Sequence, residues 1–297
     1  MHSHDADRRR LAIALALVVA LMGGEVAGGI VARSLALLAD SGHMLTDAAA
    51  LSAALVAAAL AARPARGAWT FGLGRAEILA AQANGVALLV VALLVVYSAI
   101  RRLVSPPNVH GGIVLVVALA GVAVNLAATV VLHGADRSRL NVQGAFLHVA
   151  TDLAAFAGTA LAGGLVLATG WNRFDPIAGL CVAALMLYSS WTLLRESGRI
   201  FLEAAPADVD PDEVAAALAA DTDVVEVHDL HVWTVTSGFP ALAAHVLVSP
   251  DTDCHGARRR LEQLLHRRFG LLHTTLQVDH VAKRSQPVSI ERRGSER

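Results

Sequence analysis

A chain of 297 residues that is 55% hydrophobic and 16% charged, with a mean hydropathy of +0.55, is neither disordered nor an ordinary soluble domain. Its net charge of −1 hides an asymmetry: residues 1–202 carry 14 basic and 10 acidic side chains, residues 203–297 carry 10 and 15. An acidic tail argues against nucleic acid as a partner. Two cysteines, Cys181 and Cys254, with no CxxC pair, support neither a disulfide framework nor a zinc ribbon.

Met1–Arg10 reads as a polar terminal tail. Six apolar segments then meet or approach the ~20 residues that a membrane span needs: Leu11–Ala32, Leu35–Ala62, Ile78–Ile100, Ile113–Leu132, Val142–Thr169 and Pro176–Leu194. The first follows Arg8-Arg9-Arg10 like a signal peptide, but it is too long, contains Glu25 and precedes further spans, so it reads as a membrane helix. Glu25 lies among Gly23, Gly24, Gly28 and Gly29, small residues that let helices approach, and so faces the bundle, as a proton carrier or as a bond to a neighbouring helix. Asn84 and Asn125 read as interhelical hydrogen bonders. The loop Arg63–Arg75 holds Pro64, Gly67, Gly72 and Gly74, and Ser105-Pro106-Pro107 ends the third span.

With six spans both ends share one side of the membrane. Ten arginines fall on that side and four on the other, which makes the termini cytoplasmic. The expected fold is a six-transmembrane-helix α-helical bundle, residues 11–202, followed by a cytoplasmic α+β domain, residues 203–282, and a flexible tail, residues 283–297. In that domain Asp210-Pro211-Asp212-Glu213 starts a helix to Ala220. Strands Val224–Val235 and Ala241–Ser249, helix Asp253–Phe269 and strand Thr274–Val281 complete an α-β-β-α-β, ferredoxin-like order. One uncovered sheet face would suit contact with a second copy.

Chemistry concentrates in the second and fifth spans. His43 and Asp47 lie four apart, one helical turn, with Asp40 a turn earlier; His148 and Asp152 repeat the His-x-x-Thr-Asp pattern. Ionisable groups at membrane depth mark an ion or substrate path. The two segments run in opposite directions, as in inverted repeats. At ~1.5 Å per residue all four side chains fall in a middle band about 8 Å deep. Two imidazoles and two carboxylates suit a divalent transition metal.

Three stretches resemble the cation diffusion facilitator family: Ser34–Asp47, read as SLALLADSGHMLTD; Arg75-Ala76-Glu77-Ile78-Leu79; and Leu147-His148-Val149-Ala150-Thr151-Asp152. So do Asp175-Pro176-Ile177 and Val227–Trp233, read as VHDLHVW. The resemblance runs from Leu11 to about His280. It implies a proton-coupled homodimeric exporter of divalent metal in the plasma membrane, not an enzyme. The histidine at position 43 implies Zn2+ as the main substrate, with Cd2+ or Co2+ as further ones. It also implies a cytoplasmic metal site at His228, His245 and Asp279, with His255 as a further ligand. Gly74 stands at a position often held by histidine in this family, so a loop metal site there is missing or altered. The absence of a long histidine-rich loop fits a bacterial representative.

Protons and metal compete for the same donor atoms, so alternating access around the quartet makes an antiporter. A proton-coupled exporter of organic cations would use the same acids as a relay, but its cavity would be aromatic, and 4% of this chain is aromatic. An intramembrane metalloprotease would need a run such as HExxH, which does not occur.

Overall fold

The computed structural model describes residues 20–133, 140–236 and 238–281, with the side chains of 128–133 and 140–151 outside that description. Six helices come first: α1 (Ala20–Ala32), α2 (Leu35–Ala61), α3 (Arg75–Val104), α4 (Gly111–His133), α5 (Leu140–Thr169) and α6 (Phe174–Phe201). Among the described residues α2, α3, α6 and the Asp152–Thr169 part of α5 are long and apolar enough to cross a membrane. Ala20–Ala32 and Gly111–Ala127 are shorter apolar helices. The expected first nine residues of span one and the tails 1–10 and 283–297 lie outside the described residues.

The helices outrun the apolar windows read from the sequence. α3 takes in Arg75 and Glu77 at its start and Arg101 and Arg102 in its last turn; α6 runs from Asp175 to beyond Arg199. Acids at helix starts and bases at helix ends favour the backbone dipole, so the hydrogen-bond ladder continues where hydropathy has already stopped.

By contact the chain divides into two compact units, residues 1–56 with 80–195, and residues 57–79 with 196–297. In the first, the start of α2 packs with α3 and α6 through Leu35, Ala39, Leu88, Ala92, Val182 and Met186. Gly85 admits Leu194, and its carbonyl accepts a bond from Ser190 Oγ at 2.8 Å. A second contact joins Ala32, Leu37 and Val114 of α1, α2 and α4. α2 is therefore gripped over its first two turns, whereas Leu45, Leu51, Leu55 and Val56 further along it are more than half exposed.

In the second unit α7 (Pro211–Ala219) is capped by Asp210, whose carboxylate accepts from Asp212 N. β1 (Val224–Thr236) pairs antiparallel with β2 (Phe239–Val248). α8 (Cys254–Phe269) then carries the chain over to β3 (His273–His280), which lies parallel to β2 in a sheet of order β1-β2-β3. The expected α-β-β-α-β order is present. The hairpin is tighter than expected, with Thr236 already paired to Phe239 and Gly238 at φ 71°. Pro240 is thus inside β2, tolerated because it sits before the first β2–β3 pair, Ala241 with His273. Leu218, Val246, Leu261, Leu265 and Leu276 fill the core between the sheet and α7 and α8. Arg75 bonds Glu203 at 3.2 Å and the Val235 carbonyl at 3.1 Å. Thr236 Oγ1 donates to Gly74 O at 2.9 Å, where a Cβ on residue 74 would come within 3.0 Å of the threonine.

Candidate metal centres

On α2 the helical repeat does what the spacing requires. His43 Nε2 stands 3.6 Å from Asp47 Oδ2, with the two side chains 16% and 28% exposed. That separation is too long for a hydrogen bond. His43 Nδ1 is buried and has no hydrogen-bond partner among the described residues. One turn earlier Asp40 is buried against Glu25 of α1, which has no exposed surface at all. Among the described residues no other hydrogen-bond partner is found for either Glu25 oxygen or for Asp40 Oδ2. The Asp152 carboxylate of α5 acts through space on both. Ionisable groups from α1, α2 and α5 are thus close enough to act on one another, although only the two helical repeats singled out their places in advance. His148 belongs to α5 a turn before Asp152, but its side chain lies outside the described residues.

The second centre is on the sheet. His228 of β1 pairs directly with His245 of β2, and their rings are 5.3 Å apart. The neighbouring pair, Val227 with Val246, faces the helices. By alternation the two histidines are on the other face. The register then slips between His228 and His231, and Asp229 in the slip takes φ 49°. Such a bulge sets two residues of one strand against one of its partner. As a result His228, Asp229 and His245 each bring a donor atom within 4.8 Å of the other two. Simple alternation would send Asp229 to the opposite face from His228, which is why spacing did not single it out.

His255 and Asp279 lie outside that group. His255 is exposed in the first turn of α8, and its backbone N–H donates to the capping Asp253 carboxylate at 3.1 Å. The Asp253 carboxyl is held below the ordinary aspartate range chiefly by the Gly256 N–H, with the His255 N–H and Arg259 adding to it against the opposing effect of burial. Asp279 is exposed on β3 and accepts from Gln277 Nε2 at 2.8 Å. A cavity of about 1080 Å3 lined by Trp69, Phe71, Arg75, Glu203 and Trp233 contains none of the eight expected ligands. It is not read as a metal centre.

Comparison with known proteins gives a consistent result. Residues 11–202 match the model of the cation efflux transmembrane domain. Residues 206–281 match that of the cation efflux protein cytoplasmic domain. The chain is 36% identical over 283 residues to a cadmium, cobalt and zinc/H(+)-K(+) antiporter of Bacillus subtilis, covering 94% of this chain and 91% of that one. It is 40% identical to the metal cation efflux system protein CzcD of Cupriavidus metallidurans, over 94% of this chain and 89% of the other. It is 38% identical to the zinc transporter ZitB of Escherichia coli, over 94% and 92% respectively.

Proposed function

The chain belongs to the cation diffusion facilitator, or cation efflux, family, and from that premise we propose that it exports Zn2+ from the cytoplasm in exchange for protons, with Cd2+ and Co2+ as further substrates. The family is one of multi-pass membrane transporters, not enzymes. The observation that carries the proposal is the His43–Asp47 pair on a membrane-length helix. Asp152 from the opposed repeat acts on acids a turn away from that pair. We assign the transport site to His43, Asp47, His148 and Asp152. Neutral imidazoles and ionised carboxylates bind metal, and protonating the same atoms expels it, so one site alternating between two sides exchanges the two ions.

In this proposal residues 11–202 are the transport domain of a plasma-membrane protein with its termini inside the cell. Residues 203–282 join two copies and sense metal at His228, Asp229 and His245, with His255 and Asp279 as the further candidates. Metal bound there biases transport only if it prefers one arrangement of the dimer. The organic-cation alternative finds no support among these relatives, whose names specify metals. The test is uptake by purified protein in vesicles with an acidic lumen, across a panel of divalent ions. Zinc accumulation that collapses with the pH gradient is expected, and its absence for every metal overturns the proposal.

A further inference from the structure

One buried carboxylate belongs to neither metal centre, and the transport cycle just described does not use it. Asp175, in the first turn of α6, is 1% exposed, yet its partners belong to the start of α2. Asp175 Oδ1 accepts from Ser34 Oγ at 2.5 Å and from Ala36 N at 3.4 Å. Oδ2 accepts from Leu35 N at 2.6 Å. Arg102, in the last turn of α3, stands 3.7 Å from Oδ2 and donates to the Arg33 carbonyl at 2.6 Å. Ser34 already caps α2 through the Leu37 N–H. The carboxylate therefore adds a cap from a different helix, aimed at the positive end of the α2 dipole. It does so at the end where α2 is packed, whereas the far half of α2 is exposed.

We infer that Asp175 is a positioning residue for transport: it latches the outer end of α2 to α6 while the inner half of α2 stands open, and it must release α2 for metal to leave outward. The inference rests on the transport reading. A carboxylate bonded within its own helix would survive any movement between helices. Here separation of α2 from α6 strands the charge and two backbone donors in a dry place unless water follows. The latch therefore opens together with entry of outside water. Weakening it lowers the fraction of molecules that accept metal from the inside, which raises the apparent KM in proportion.

The test is Asp175→Asn, which keeps the shape and removes the charge, in the full chain reconstituted in vesicles. Zinc uptake from the cytoplasmic side should show a KM raised several-fold with a maximal rate within about twofold of the parent. In a Cys181→Ala, Cys254→Ala background, an Ala39→Cys reporter should react faster with an impermeant maleimide added outside when Asp175→Asn is present. Should Asp175→Asn fail to fold, Ser34→Ala removes one donor and has to move both readouts the same way. A reduced maximal rate at parental KM, or unchanged labelling, overturns the latch. Failure of the transport reading looks different, since the parent itself then takes up no zinc while the labelling comparison still decides the latch.

Discussion

The two candidate metal centres are built on different supports. In the bundle, donors come from the regular repeat of a helix, four residues apart, with the acids Asp40 and Glu25 a turn away. In the tail, donors come from two paired strands, and the third is delivered by an irregularity in the pairing. A helix fixes the angle between neighbouring ligands but not which helix meets it. A sheet fixes the partner strand but leaves the fine aim of a side chain to a bulge. A bundle centre completed by a second helix would open when helices move relative to one another, which suits a carrier. The tail centre depends on local backbone, which suits a sensor.

The largest effect that would test this contrast is in the bundle. Replacing Asp47 by Ala should lower proton-driven metal uptake by more than about 100-fold, beyond the range ordinary for groups that merely orient ligands. Undiminished uptake would remove the bundle centre altogether. Next comes the tail, where His228→Ala combined with His245→Ala should leave transport within a few-fold of the parent. In the full-length parent, zinc at 100 times its dissociation constant should stabilise the tail against proteolysis by about 2.7 kcal/mol, and in the double variant by almost nothing. Loss of all transport in that variant would mean that the two centres are not separate devices.

A smaller and sharper test is Asp229→Gly. Glycine accepts φ 49° without the cost of a Cβ, so the metal-free tail should gain about 0.5–1 kcal/mol while its zinc affinity falls. Unchanged affinity would strike Asp229 from the ligands. The smallest effect concerns acid. Burial pushes the Asp221 carboxyl up, but the Arg260 side chain and the Asp223 N–H more than offset this and leave it below the ordinary range. Such a group stabilises the fold above its unfolded pKa and loses that contribution as pH falls through its folded one. Thermal melting of the tail should therefore weaken in acid below about pH 4, by less than about 1 kcal/mol given the half-exposed Arg260. Asp221→Asn should flatten that decline.

How much of this was legible in the chain follows from the same contrast. His43 and Asp47 were legible because helical spacing converts directly into a shared face. The tail's element order was legible from periodicity and from Asp210 as a cap, whereas Asp253, expected as the first helical residue, turns out to be the cap of α8. Glu25 could be placed facing inward by its small neighbours, but not against Asp40, because nothing local says which helix lies opposite. Asp175 read only as part of a family motif, since its partners are 139 to 141 residues away. Asp229 stood in the Val227–Trp233 motif, but its place beside His228 and His245 was hidden by the bulge, and the β2 boundary by a proline that is harmless only because β3 begins one residue later. What escaped was in each case a meeting between distant segments or a break in a regular repeat.

The orphaned Nδ1 of His43 has a consequence for turnover. Metal-binding imidazoles are commonly held by a second acceptor that locks the ring and strengthens its grip. If Nε2 takes the ion beside Asp47, the opposite edge of the ring meets no hydrogen-bond partner among the described residues. In the proposed cycle such a ring would hold its cargo loosely, and a carrier that must surrender each ion once per cycle would gain speed from that looseness.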